Sequence, residues 1–600
     1  MGNTKKASVI VDESYMQIKE AINTKMGDIL KDYYIVPRFQ RKYVWTKNEV
    51  TDFFNDINEN PPKYFIGSLV LYNYKNEDNE RLDVKGVVDG QQRITTTLLI
   101  LVELRRLFGI ISENSIDPLK TEAEKKYKGT YSSYIRRKDN DDNDRYILTS
   151  ETSKDYLEEL FSENINQETL KDNIDDDEEK KSLYEAYKTI SKLLENMLIG
   201  KNEQEKFDIL TEFRAKIENL LVIKVLLDDL DSAHIVFDSL NDRGKAIDNA
   251  DKVKSYLMRL LKKGSLTTDS QLTKWNNLQS KINSNKKSNI INEFIEYHFK
   301  SMTDKNINSD NLFDNIKLYI GKDREKASNY LEELKKNIDY FILAYDQQKF
   351  FDIFNASDDN AKAIKDSISS LNNYGIKMHI PLLILLIREY VEDNITTKNI
   401  SNLLSKLDKF HFKYNVIFSF PTNSLAPQYR KFISDIINEA SDKNNLIRNL
   451  NLESSDKHNL NDKSSFTNNF KNKILYSESK NKYKKIVKDV LVKIDKKFKK
   501  STCEINYNEM TIEHLISQSK EDKYDIAQIG NLILVNREMQ NLLKDKDFKE
   551  KIKILENQGF FNNYRNDLLL PKLSEITKDV KSPIEWINSR TAQIIDIFFE

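Results

Sequence analysis

Only nine prolines and fourteen glycines punctuate the 600 residues of this chain, so long stretches contain nothing that breaks a helix. Leu, Ile, Lys and Glu fill those stretches, and apolar residues return at helical spacing over much of the length. The fold class expected is α+β and predominantly helical. At roughly one domain per 150 residues, such a length implies about two to four domains.

Charge and cysteine content exclude several classes. Lys plus Arg number 94 against 95 Asp plus Glu, a net charge of −1. The chain is therefore no polycation, and any contact with DNA must come from local basic surfaces. The single cysteine, Cys503, excludes an internal disulfide framework and a Cys-rich zinc site, and it suits a reducing compartment. The opening residues MGNTKKASVI lack the apolar core of a signal peptide. The most apolar run, His379–Glu392, falls short of the roughly 20 residues a membrane span needs and reads as a buried helix. A cytoplasmic location with no membrane partner is expected.

Along the chain, the region from 30 to 110 is mixed. Strand-like runs at Gly67–Tyr72 and Lys85–Val88 precede a helix-like run at Ile94–Leu107. Residues 112–205 read as helical with polar interruptions, two of them acidic (Asp139–Arg145 and Asp172–Glu179) and best taken as solvated loops. Residues 221–230 look like another strand, with helix from Asp231. From 260 to 500 helix follows helix, broken by a polar joint at 452–466. Residues 481–500 form an amphipathic basic helix with the stripe Ile486, Val487, Val490, Leu491, Ile494 and Phe498. Its lysines, Lys484, Lys485 and Lys488 among them, read first as a solvated face and second as phosphate contacts.

The strongest chemical signal is Thr511–Gln518 (TIEHLISQ), followed by Ile529–Val535 (IGNLILV) and Asn541. An acidic residue beside a histidine at a strand end presents a metal ligand and a base together. A downstream Asn opening a second strand can lock the histidine loop, and another on the next helix can complete a metal shell. This pattern resembles the strand–strand–helix finger of HNH nucleases, more narrowly that of GmrSD-type restriction enzymes. The residues carrying it are Glu513, His514, Gly530, Asn531, Leu532, Asn541, Phe548 and Lys551. The resemblance implies His514 as general base, Glu513 and Asn541 as ligands of Mg²⁺ or Mn²⁺, and Asn531 as the residue fixing His514. Many HNH motifs carry Pro three residues after the histidine, where this chain has Ser517. Asn536 rivals Asn541 as the ligand. The other histidines (His234, His298, His379, His411, His458) read as structural.

Near the other end three motifs stand in order: Tyr34–Trp45 with Tyr64–Leu69, then Asp89–Arg93 (DGQQR), then Phe237–Gly244 (FDSLNDRG). A DG turn feeding a helix offers backbone amides and a positive dipole end to an anion. Gln91 and Gln92 add amide donors, and Arg93 adds a guanidinium fork suited to phosphate. Trp45, Phe39 and Phe237 read as core aromatics. No Walker A pattern occurs. Together the motifs resemble the N-terminal domain of GmrSD-type modification-dependent (type IV) restriction enzymes, which shares a fold with ParB and sulfiredoxin. The resemblance implies a site for a nucleoside triphosphate (GTP, UTP or CTP) built from Asp89, Gly90, Gln91, Gln92 and Arg93. Arg38, Gln40, Arg41, Asn241 and Arg243 would support it.

The expected organisation is a ParB/sulfiredoxin-like nucleotide domain at 1–260, a helical middle at 261–465 and an HNH nuclease domain at 466–600. The expected activity is a nucleotide-regulated endonuclease acting on modified double-stranded DNA, with homodimerisation left open. The rivals are a nucleotide-controlled DNA-binding switch without cleavage and an RNase that acts as a toxin.

Overall fold

The computed structural model describes residues 18–600 apart from 75–82, 140–141, 164, 166, 175–176, 229–247, 262–269, 284–289, 347–349, 440, 455–458, 478–481, 499–504, 518–523 and 561–582. The chain divides into two compact units, Met1–Trp275 with Gly321–Ser328, and Asn276–Ile320 with Asn329–Glu600. The joint expected at 465–466 falls inside the second unit.

In the first unit, β1 (Ile18–Lys25) and β2 (Tyr33–Val36) precede helix α1 (Lys47–Glu59). Thr46 and Glu49 open α1 with a reciprocal capping box, which satisfies amides that a helix start leaves unpaired. Next come β3 (Phe65–Asn73), β4 (Val84–Asp89), α2 (Gln91–Asn114) and α3 (Leu119–Tyr134). The short strands β5 (Arg136–Lys138), β6 (Asp144–Tyr146) and β7 (Leu148–Ser150) follow. Then come α4 (Glu178–Met197), α5 (Glu203–Glu218), β8 (Leu221–Leu227) and α6 (Asn249–Leu260). Six strands make one sheet in the order β1-β8-β3-β4-β2-β7. β2 runs parallel to β4 and β7, and β3 parallel to β8. β1–β8 and β3–β4 are antiparallel.

The sequence reading of 112–205 as helix with loops needs correction at 136–150, where β5 and β6 form a hairpin and β7 joins the sheet edge. Each of these strands has three residues, too few for an alternating pattern to register. α2 is apolar nearly all round and is buried from Ile94 through Leu104, packed against α3, α4 and α5. Each large apolar side chain so buried contributes about 1.5–3 kcal/mol. Its one fully buried acid, Glu103, accepts from Arg106 at 2.6 Å, and from the Tyr187 and Ser191 hydroxyls at 3.0 Å each.

The second unit contains α7 (Ile290–Lys300), α8 (Asp359–Asn373), α9 (Ile380–Val391), α10 (Thr397–His411), α11 (Ala426–Asn438), α12 (Lys463–Lys473) and α13 (Lys484–Phe498). A two-stranded antiparallel hairpin follows, β9 (Thr511–His514) with β10 (Leu532–Val535). α14 (Arg537–Leu543), α15 (Phe548–Asn557) and α16 (Pro583–Phe599) complete it. α9 is the apolar run seen in the sequence, buried from Ile380 to Ile387 with Pro381 in its first turn. Among the described residues no helix is long and apolar enough to cross a membrane.

α13 buries Ile486, Val487, Val490, Leu491 and Ile494 in a core shared with Leu515, Leu532 and Val535 of the hairpin region. Its polar side is fastened as well. Lys493 reaches Asp408 at 2.8 Å, while the Ser370 hydroxyl and the Tyr374 hydroxyl donate to Asp489 at 2.8 and 3.0 Å. The basic helix is thereby tied to α8 and α10. His298, His379 and His411 are buried; His234, His458 and Cys503 lie outside the described residues.

Candidate functional site

The DGQQR motif sits where β4 turns into α2. Gly90 opens the helix at φ +95, in the left-handed region, and a Cβ there would stand 2.1 Å from Leu69 Cδ2. Only glycine fits. Asp89 and Arg93 pair across one helical turn at 3.1 Å, with side chains 33% and 19% exposed. Arg93 also donates through Nη1 to the Ile66 carbonyl at 2.7 Å. Gly67 makes that possible: at φ +105 its Cβ would fall 2.2 Å from the same Nη1. The GS motif thus leaves the space that the DGQQR arginine fills.

The two glutamines differ. Gln92 accepts from the Val44 and Trp45 amides at 3.0 and 3.3 Å and donates to the Lys42 carbonyl at 3.2 Å. It staples the 37–45 segment onto the helix start. Gln91 is equally buried, but its Oε1 has no hydrogen-bond partner among the described residues. Gln40 donates to the Val88 carbonyl at 3.0 Å, which ties the same segment to β4. Arg38 lies buried, its backbone amide on Glu151 at 2.8 Å and its guanidinium on the Met258 and Leu261 carbonyls at the end of α6. Arg41 is partly exposed and faces Asp251 electrostatically. Phe39 is buried, and Trp45 packs on Phe53 with ring centroids 5.3 Å apart. Asn241, Arg243 and Phe237 lie outside the described residues.

Sequence reasoning missed two residues here. Lys254 of α6 is 3% exposed, and its ammonium donates to the Gln40 carbonyl at 3.2 Å. Burial holds its pKa below the ordinary lysine value, against the pull of Asp251 and Glu179. Asp251, one turn earlier, is pushed up to about 6 by burial and then by the charge of Asp248. In the sequence both belong to a mostly polar helix start, Asp248–Lys254 (DNADKVK), in which neither charged residue carries a sign of burial.

The second constellation is built on the hairpin. His514 ends β9 and pairs with Leu532; Glu513 pairs with Ile533. The His514 ring stacks on Tyr476, centroids 5.6 Å apart, and its Nε2 donates to the Tyr476 carbonyl at 2.9 Å. A carbonyl only accepts, so Nε2 carries a proton. Asn531 is fully buried and bonds the loop between the strands three times. It accepts from the Ile516 amide at 2.7 Å and donates to the Ile516 and Ile526 carbonyls at 3.1 and 2.8 Å. Glu513 accepts from Lys551 at 2.7 Å, and the same ammonium donates to the His514 carbonyl at 2.6 Å.

Of the two asparagines weighed as ligands, Asn536 caps α14 by accepting from the Met539 amide at 2.8 Å. Asn541 is exposed on α14, which packs against β9. Glu513 and Asn541 each carry an oxygen donor of the hard kind Mg²⁺ and Mn²⁺ take, and among the described residues no three His, Cys, Asp or Glu side chains cluster as a metal site. Lys484 and Lys485 are exposed on α13, with the Lys484 ammonium 5.5 Å from the Tyr476 ring centre. Lys488 is partly buried and reaches the Asn508 carbonyl at 3.4 Å. Tyr476 is the residue missed here. It comes 38 positions before His514, and a short bridge of Leu475 with Gln528 brings it alongside.

Comparison with known proteins bears on the region that holds the first constellation. No curated protein matches the chain. The family model described as GmrSD restriction endonuclease, N-terminal domain, matches residues 22–258, from the first sheet strand through most of α6. Over these residues the chain is similar to the N-terminal domain of GmrSD restriction endonucleases.

Proposed function

We propose that the chain is a nucleotide-regulated, metal-dependent endonuclease that restricts modified foreign double-stranded DNA, with its nuclease centre an HNH finger at Glu513 and His514. One observation carries the reading: a histidine whose Nε2–H is held by a backbone carbonyl, beside a carboxylate held by a buried lysine. Hydrolysis of a phosphodiester needs a water made nucleophilic and positive charge on the phosphate. His514 takes the proton from that water. Tyr476 and Asn531 hold the imidazole and its loop in place. Lys551 orients Glu513, which with Asn541 would hold Mg²⁺ or Mn²⁺. When bound, the metal supplies charge stabilisation to the phosphate and the leaving oxygen. Lys484, over the Tyr476 ring, and Lys485, exposed next to it in the chain, suit the flanking phosphates.

At the other constellation, the start of α2 carries no side-chain cap, and Gln91 keeps a carbonyl oxygen unpartnered among the described residues. Both features fit a polar anionic ligand at a helix N-terminus. A nucleoside triphosphate (GTP, UTP or CTP) would be held there by Gly90, Gln91 and Arg93. Asp89 holds Arg93, and Gln92, Arg38 and Gln40 keep the surrounding main chain in place.

The experiment is cleavage of unmodified, glucosylated and phosphorothioated plasmid DNA with Mg²⁺ or Mn²⁺, with and without each triphosphate. His514→Ala should abolish cutting and leave triphosphate hydrolysis near wild type, whereas Arg93→Ala should abolish hydrolysis. Cutting by His514→Ala at the wild-type rate would overturn the mechanism. Hydrolysis without any DNA cleavage would favour a binding switch, or an RNA target if RNA is cut instead.

A further inference from the structure

We infer that a cavity among the helices of the second unit binds a phosphate-bearing nucleotide. The inference rests on the endonuclease reading above and adds a second place where nucleic acid is held, away from the hairpin residues. The cavity encloses about 370 Å³. It lies where the end of α7 and the segment after it meet the turn before α9 and the start of α11. Its size falls within the ~300–1,000 Å³ typical of small-molecule sites.

The lining is cationic. Lys300, Lys305, Lys377 and Arg430 face it against one carboxylate, Glu296. Lys300 pairs with Glu296 at 2.5 Å, and Lys377 with Glu293 at 2.8 Å. Lys305 and Arg430 have no carboxylate partner among the described residues, and Arg430 donates only to Asn306 Oδ1, at 3.2 Å. Two uncompensated cations at one cavity attract an anion.

The rest of the lining narrows the anion. Tyr297, partly exposed, adds aromatic surface, and Tyr429, 3% exposed, backs the cavity, fixed by a 2.7 Å bond from its hydroxyl to His411 Nε2. The Asn423 carboxamide also lines the cavity and has no partner among the described residues. A simple phosphate has no use for aromatic faces, and an apolar ligand has none for the cations. A nucleotide uses both: cations for the phosphate, an aromatic face for stacking and a carboxamide for a base edge. A base cannot enter such a cavity from an intact duplex, so a strand would supply it unpaired or extruded. A free nucleotide shares the same chemistry.

The test uses the full chain carrying His514→Ala, so that DNA stays uncut, with and without Lys305→Gln and Arg430→Gln together. Labelled single-stranded and duplex oligonucleotides, and separately the nucleoside monophosphates, are titrated over a range of salt. The double substitution should weaken binding about tenfold or more and lower the salt slope by roughly one to two, about one per lost phosphate contact. Its melting curve and triphosphate hydrolysis should match the parent. Weakening confined to the oligonucleotides identifies a strand as the occupant; weakening confined to the monophosphates identifies the free nucleotide. Unchanged affinity and slope for every probe would overturn the cavity assignment and leave the nuclease reading standing. A His514-intact protein that neither binds nor cuts nucleic acid would overturn both.

Discussion

Lys551 is 1% exposed, and an ammonium so deep persists only with partners. It has two, the Glu513 carboxylate and the His514 carbonyl, so one buried charge positions both residues of the candidate nuclease centre. Lys551→Met keeps the length and removes the charge, which strands Glu513 at 14% side-chain exposure. Breaking one side of a buried pair costs about 3–5 kcal/mol. The residual exposure of Glu513 puts the expectation at about 2–3 kcal/mol of unfolding free energy, together with loss of cleavage. Denaturant titration and the plasmid assay check both; an unchanged midpoint would mean that Lys551 does not organise the site. Phe548 and Lys551 were legible as letters of a pattern, but not as a clamp, because the partners lie 38 positions apart. Gly67 was legible as part of a GS motif. That it vacates space for Arg93 is a tertiary fact with no local trace. That the Gln92 amide bonds main chain 47 to 50 positions away was not legible either.

The helices of the second unit carry three buried histidines, His298 on α7, His379 before α9 and His411 at the end of α10. Burial lowers each from 6.5, to about 3, about 3 and about 4 respectively. A lowered folded-state value means that the neutral ring is the one the fold tolerates. The contribution to stability is therefore complete above pH 6.5 and is lost as the pH falls toward 4 and 3. At pH 5 each histidine costs roughly 2 kcal/mol relative to neutral pH. His379→Leu should shrink the stability lost between pH 7.5 and pH 5 by about that amount, measured by urea denaturation at both values. An identical loss in the variant would show that His379 does not titrate with folding. The same helices mark the limit of what sequence reveals. α9 was plain because its apolar run is unbroken. The tie of α13 to α8 and α10 was not, since Lys493, Asp408 and Tyr374 are ordinary polar letters at separations of 85 and 119 positions. β5, β6 and β7 escaped for the opposite reason, being too short to carry a period.

With a net charge of −1, the molecule as a whole gives DNA no long-range attraction, so any affinity has to come from a few local cations. α13 looks in sequence like a broad basic face, yet much of that charge is already neutralised inside the fold. Lys493 pairs with Asp408 and Asp489, and Lys496 with Asp366. Lys488 bends to a carbonyl. Lys484 and Lys485 remain exposed at the end of the helix nearest Tyr476 and His514. Few phosphate contacts mean a shallow dependence of log affinity on log salt, about one unit per contact. Replacing Lys484 and Lys485 together with Gln should therefore flatten the slope by roughly two and weaken binding most at low salt, without changing triphosphate hydrolysis. Binding isotherms on one duplex across a salt series measure it. A slope unchanged by the double substitution would move the phosphate contacts off α13. A slope that vanishes would make these two lysines the whole of the electrostatic footprint and leave no share for the cavity cations Lys305 and Arg430.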